Sequence, residues 1–170
     1  MNKKKTLSVL GTGSFAFDTI VKREYPDGFI PGKRNRFVEK VVMEEIGSNP
    51  GNVMCILGYL GWHSCPIALF DDSAQGVQMT KDFLRYGCDT RFVNNIPDGG
   101  TNCLKVIHCL DEEGRPTRKF SKRHAPGSGF PRDKAFTVKG NDATLPLFIK
   151  SLDFLPDVYF YEGVTAAWRE

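Results

Sequence analysis

The sequence contains no unbroken apolar run long enough to cross a membrane, no C-x-x-C pair, no large excess of one charge and no internal repeat. Residues 46–70 carry no formal charge, yet Gly47, Pro50, Gly51, Gly58, Gly61 and Pro66 interrupt them, so the stretch reads as a buried helix plus a strand and no membrane partner is expected. Twenty-three basic against 20 acidic residues leave a net charge of +3, part of it in Lys3-Lys4-Lys5, and nucleic-acid binding is not suggested. The five cysteines, Cys55, Cys65, Cys88, Cys103 and Cys109, are odd in number and have no histidine beside them at ligand spacing. A reduced, cytoplasmic protein without structural zinc is the simpler account. The three lysines precede Leu7-Ser8-Val9-Leu10 in the manner of a signal peptide, but Gly11, Thr12, Gly13, Ser14 and then Asp18 break the apolar stretch and disfavour secretion. His63, His108 and His124 have no acid, base or nucleophile partner at short range, so no hydrolase constellation can be drawn.

What is present suffices for one domain with a real core: 170 residues, 41% hydrophobic and 12% aromatic. Leu7–Leu10 reads as a short strand, extended chain follows from Phe15, and a turn-rich segment from Tyr25 to Asn35 leads to a strand over Phe37–Glu45. A helix begins near Pro50 and stops at Gly61. His63–Phe70 is a strand, and Asp71-Asp72-Ser73 caps a second helix running to about Tyr86 and closed by Gly87. Arg91–Val93 is short and extended, Thr101–Leu110 and Thr117–Ser121 form a hairpin, Ala125–Asn141 is irregular, Ala143–Ser151 suits a helix, and Asp157–Tyr161 is an apolar strand. The alternation predicts an α/β body with two β-excursions, near 15–45 and 101–121, that pair to form a lid.

The most informative segment is Gly47-Ser48-Asn49-Pro50-Gly51-Asn52. Asn49 suits an N-cap and Pro50 the first helical position, leaving backbone N–H groups and a positive dipole end facing outward, with the Asn52 amide in the first turn to meet a polyol. An ordinary capped core helix fits equally well at this point. Gly11-Thr12-Gly13-Ser14-Phe15-Ala16 matches G-x-G-x-x-A after a strand, but the following residues look extended, whereas a dinucleotide site needs a helix at the second glycine. A plain turn is favoured over the nicotinamide-dependent Rossmann oxidoreductase. Asp18, in a segment of apolar and small residues, is either solvent-facing or ligand-facing. Glu162 stands at the carboxyl end of a strand, where parallel α/β sheets bind ligands. Asp71 and Asp72 suit a cation less well than helix capping. Arg115, Arg118, Lys119, Lys122, Arg123 and Arg132 read as a solvated basic face.

In this order the residues resemble the amino-terminal half of the PfkB (ribokinase-like) sugar and nucleoside kinases, from about Thr6 to Trp168. Gly11 to Asp18 resembles the family's G-x-x-x-x-D segment, Gly47 to Asn52 with Leu60-Gly61 its G-G-x-x-x-N helix, and Asp71 to Gly76 its G-D-D-x-x-G turn. Thr101–Ser121 resembles the second lid element. Ser48 stands for the second glycine, Asp71 for the glycine of the turn and Ser73 for its second aspartate. The resemblance implies a layered α/β/α body with a small β-strand lid, and ATP-dependent phosphorylation of a sugar or nucleoside hydroxyl. It implies Asp18, Gly47, Ser48, Asn52 and Glu162 as substrate-binding residues, and ATP and Mg2+ as cofactors. An apolar lid face with Phe37, Val41, Val106 and Ile107 suits either a homodimer through the lid or a cover for the pocket. The family's D-T-x-G-A-G-D segment, which supplies the anion hole and catalytic base, does not occur. The expectation is therefore a substrate half whose nucleotide-binding part is absent, with no catalytic residue in this chain. A sugar-binding remnant without catalysis is the alternative.

Overall fold

The structure, a computed structural model, describes residues 6–95, 97, 101–123 and 152–162. Its elements run β1 (Ser8–Thr12), β2 (Ala16–Glu24), β3 (Val38–Gly47), α1 (Ser48–Tyr59), β4 (His63–Pro66), β5 (Ala68–Phe70), α2 (Ala74–Arg85), β6 (Val93–Asn95), β7 (Asn102–Leu110), β8 (Pro116–Arg123) and β9 (Val158–Tyr161). The expected elements over 125–151 lie outside the described residues.

β1 is the centre of a parallel sheet ordered β4-β1-β9. All five of its residues are buried, which is why it reads as an uninterrupted apolar and small run rather than an alternating one. The predicted strand over 63–70 is two strands in different sheets. Pro66 has no N–H to continue a ladder, Ile67 donates to Gly11 O at 2.7 Å, and Ala68 then turns to Phe92 O at 3.2 Å, beginning the parallel β5–β6 pair. Extended chain lies at Val93–Asn95, two residues later than expected, because Arg91 and Phe92 form the turn leading into it.

α2 makes the crossover between β5 and β6. Ser73 is its N-cap, its hydroxyl accepting from Gly76 N at 3.1 Å, and Gly87 ends it at φ +78°. α2 turns Met79 and Phe83, both fully buried, toward Val9, Phe15, Phe70 and Met54 of α1. Phe15 meets Phe70 and Phe83 edge-on at 6.1 and 5.4 Å. Burying such side chains contributes about 1.5–3 kcal/mol each and clamps the segment between β1 and β2 onto the body. Asp82, 1% exposed, ties the two layers together: it accepts from Ile46 N at 2.9 Å and from Gln78 Nε2 at 2.9 Å.

The two excursions form a second sheet, ordered β3-β2-β7-β8, in which β2 runs antiparallel to β3 and parallel to β7. The turn-rich segment at its far end is pinned by Gly32 N to Glu112 O at 3.0 Å and by Tyr25 OH, which accepts from Leu110 N at 3.2 Å. Val21, Ile107 and Cys109 bury a small cluster, while Val41 (55%) and Val42 (63%) on β3 stay exposed.

Candidate functional site

β1 and β9 are parallel neighbours, and both end on one edge, where Glu162 N donates to Thr12 O at 3.1 Å. β2 leaves this edge and β3 returns to it, with Ala16 opposite Gly47, so α1 starts beside the ends of β1 and β9. Close approach of backbone makes this possible. A Cβ on Gly13 would lie 3.0 Å from both Glu162 Cβ and Pro50 Cβ.

Asp18 is half-buried on β2, with Glu45 of β3 as its cross-strand neighbour. Its carboxylate lies against Gly47, where a Cβ would come within 2.0 Å of Oδ2, and it accepts a hydrogen bond from the Ser48 backbone N–H. The other oxygen, Oδ1, is buried and has no hydrogen-bond partner among the described residues. Burial chiefly, and the Glu45 carboxylate beside it, raise the Asp18 pKa above its ordinary value against the lowering effect of the Ser48 N–H. Ser48 adopts φ +62°, and its hydroxyl donates to Ser14 O at 2.7 Å. One residue on, Asn49 Nδ2 donates to Glu162 Oε1 at 2.8 Å.

No protein-family model matches the chain, and no curated protein matches it. Among solved structures it is similar to the 2-dehydro-3-deoxygluconokinase of Thermotoga maritima, with TM-score 0.58 and 13% identity over 95% of this chain and 42% of that one. It is also similar to a ribokinase candidate from Agrobacterium tumefaciens, with TM-score 0.54 and 15% identity over 70% and 36% of the two chains. A third is the ribokinase of Arabidopsis thaliana solved with ribose and ATP, with TM-score 0.50 and 14% identity over 69% and 36%. The chain has the ribokinase fold. It spans less than half the length of these sugar kinases.

Within this ribokinase-like fold, Asp18, Gly47 and Ser48 are in contact, and Glu162 joins them through Asn49. Asn52 stands apart. It is exposed in the first turns of α1 and lines a cavity of about 280 Å³ with Glu45, Ile46, Cys55, Tyr59 and Tyr86. Glu45 adjoins both places, and its Oε2 accepts from Arg85 Nη2 at 3.1 Å and from Tyr86 OH at 3.2 Å.

Two expectations are corrected. Asn49 does not cap α1: the helix starts at Ser48 with Gly47 as its cap residue and no side-chain cap, which frees the Asn49 amide for Glu162. Pro50 is therefore the third helical residue, where its missing N–H still leaves no intrahelical bond unmade. Gly11–Ala16 makes the strand-to-strand turn that was favoured over a dinucleotide site, because β2 and not a helix follows. Gly11 is small for packing: a Cβ there would fall 2.3 Å from Met54 Sδ. Lastly, His63 does have partners. Its Nε2 lies 2.9 Å from Asp89 Oδ2 and 3.4 Å from Cys65 Sγ. His124 and Arg132 lie outside the described residues.

Asp71 works locally, in keeping with the capping reading. Its Oδ1 accepts from Ser73 N at 3.2 Å, from the Ser73 hydroxyl and from Thr101 Oγ1 at 2.7 Å. Burial pushes its pKa up, but these hydrogen bonds outweigh it and hold the carboxyl below its ordinary range. Sequence reasoning missed Asn102, which opens β7 opposite Ala16. Its Nδ2 donates to Phe15 O at 3.3 Å and its Oδ1 is buried without a partner among the described residues. A polar amide at the first position of a mostly apolar strand, two residues after Asp98-Gly99-Gly100, was the available signal.

Proposed function

We propose that this chain supplies the substrate-binding part and lid of an ATP-dependent sugar kinase. The observation that carries this reading is Asp18 Oδ1, a buried carboxylate oxygen with no donor among the described residues. An acceptor removed from water without a partner costs the fold stability, and a substrate hydroxyl offsets that cost by donating to it. Gly47 and the Ser48 N–H hold the carboxylate in place, Glu162 and Asn49 offer further polar groups on the same edge, and Asn52 serves substrate from the adjoining cavity. Two carboxylates suit the donors of a polyol or the ribose of a nucleoside. Likeness to sugar kinases supports the same reading at the level of fold.

The described site residues do not fit ATP themselves. A triphosphate needs cationic or backbone donors, whereas Asp18 and Glu162 would repel it. The nucleotide and its metal belong, on this reading, outside the described residues. The work of this part is positioning, and closure of the four-stranded sheet over the sugar would exclude water as a competing phosphoryl acceptor. The exposed β3 face offers a surface for a homodimer through the lid. A cytoplasmic location is part of the same proposal, and no described helix is long and apolar enough to cross a membrane.

The test is ligand-dependent stability. Ribose, fructose or 2-dehydro-3-deoxygluconate should raise the unfolding temperature of the chain, and Asp18→Ala should abolish the rise. In a protein that also carries a nucleotide-binding part, Asp18→Ala should raise KM for sugar strongly with a smaller effect on ATP. Unchanged sugar kinetics would sink the assignment. Stabilisation by sugar without phosphoryl transfer on addition of ATP and Mg2+ would favour a purely binding role.

A further inference from the structure

We propose that His63, Cys65 and Asp89 form a binding site for one thiophilic divalent cation, Zn2+ by ligand chemistry, on the opposite edge of the sheet from the sugar-facing one. The site is independent of the kinase reading. β4 enters the sheet at His63, level with the start of β1, whereas Asp18 and Glu162 gather near the ends of β1 and β9.

The geometry follows from the strand. His63 and Cys65 are two apart on β4 and project to the same face. Asp89, from the loop after α2, is fastened onto that strand by its N–H, which donates to Ser64 O at 2.8 Å. The imidazole nitrogen, thiol sulfur and carboxylate oxygen lie within 4.8 Å of one another. Tetrahedral Zn2+ holds such atoms at about 2.0–2.3 Å from the metal, and hence about 3.3–3.8 Å from each other. The observed Nε2–Oδ2 and Nε2–Sγ separations of 2.9 and 3.4 Å are near that spacing.

With a cation bound, all three atoms act as ligands in place of the hydrogen bonds among them, and thiolate plus carboxylate neutralise its double charge. Arg91 faces the site as well. It donates to Asp89 through Nε at 2.7 Å and through its backbone N–H at 3.1 Å, while Asp153 accepts from its Nη1 at 2.8 Å. Arg91 thus orients the carboxylate with much of its own charge met by Asp153, as outer-shell groups of metal sites do. The Phe154 ring, 4.6 Å from that of His63, fixes the imidazole plane. The His63 side chain is 35% exposed, which provides an entry path and a fourth position for water.

Cys65 is fully buried. A thiol ordinarily carries its proton at neutral pH, and binding replaces the S–H bond with a sulfur–metal bond and releases that proton to solvent.

The test uses Co2+ as a spectroscopic probe on the whole chain under reducing conditions. One Co2+ per chain should bind with a thiolate-to-cobalt charge-transfer band and the intense visible bands of a tetrahedral centre. Zn2+ should displace it, with release of about one proton per ion. Cys65→Ser should remove the charge-transfer band. Because Cys65 is buried and its replacement puts folding at risk, His63→Gln at the partly exposed position provides the second variant, and it should weaken Co2+ binding by at least about tenfold. No charge-transfer band in the wild type, or a band and affinity unchanged by His63→Gln, overturns the proposal.

Discussion

Asp18 and Gly47 touch at the mouth of the β2–β3 hairpin, where a Cβ on Gly47 would lie 2.0 Å from Oδ2 and 2.2 Å from Cγ of the aspartate. Gly47 is extended, at φ −143°. Its requirement for glycine is therefore one of space, set by the carboxylate, and not one of backbone conformation.

Gly47→Ala should consequently lower stability by about 1–3 kcal/mol, as overpacking does, and should weaken any sugar-dependent stabilisation. Urea unfolding measures the first effect. The cost should shrink when Asp18 is already alanine, because the colliding atoms are gone. Equal costs in the two backgrounds would place the clash elsewhere.

Ser48 at φ +62° occupies the left-handed region, which costs a residue with a Cβ roughly 1–2 kcal/mol. Its hydroxyl returns part of this through the 2.7 Å bond to Ser14 O, a contribution of about 1 kcal/mol. Ser48→Gly loses the bond but relieves the backbone and should be close to neutral. Ser48→Ala loses the bond and keeps the strain, and should be less stable than the glycine variant by about 1 kcal/mol or more. The reverse order in denaturant unfolding would remove Ser48 as a strained position.

Elements were legible in the sequence where local chemistry specifies them. The buried run of β1, and Ser73 and Gly87 at the two ends of α2, follow from burial and capping within a few residues. The pairing of the two excursions was legible too, since both had to cover an apolar face. The split at Ile67 was not, because it depends on Gly11 and Phe92 supplying carbonyls from other strands. Nor was the fate of Asn49, whose partner Glu162 is 113 residues away. Asp18 was legible as an anomaly of burial. The pairing of His63 with Asp89 across 26 residues was hidden for want of a local pattern.

Gly58 tests packing against propensity. Alanine in a helix interior normally gains about 0.5–1 kcal/mol over glycine. In α1, however, the Cβ would fall 2.6 Å from the backbone oxygen of Tyr86 and 3.0 Å from Cys88 Sγ. A backbone oxygen cannot swing aside as a side-chain terminus does, so Gly58→Ala should lower the unfolding temperature. A stabilised variant would mean that the loop after α2 yields readily.

The pH dependence of Asp18 separates a ligand-facing carboxylate from a solvent-facing one. Burial, chiefly, raises its folded pKa above the ordinary 3.8. Between these two values the folded state holds more protons than the unfolded state, so this group's contribution to stability falls as pH rises through the window and is constant on either side. Asp18→Asn removes the titration while other carboxylates titrate alike in both proteins. The stability of the asparagine variant relative to wild type should therefore increase with pH just above 3.8 and then level off. Sugar affinity of the wild type should rise over the same window, since an ionised carboxylate accepts a hydroxyl hydrogen bond more strongly. Opposite slopes for stability and binding on one residue are the signature of a buried acceptor kept for a ligand. Two flat profiles would return Asp18 to the solvent-facing reading.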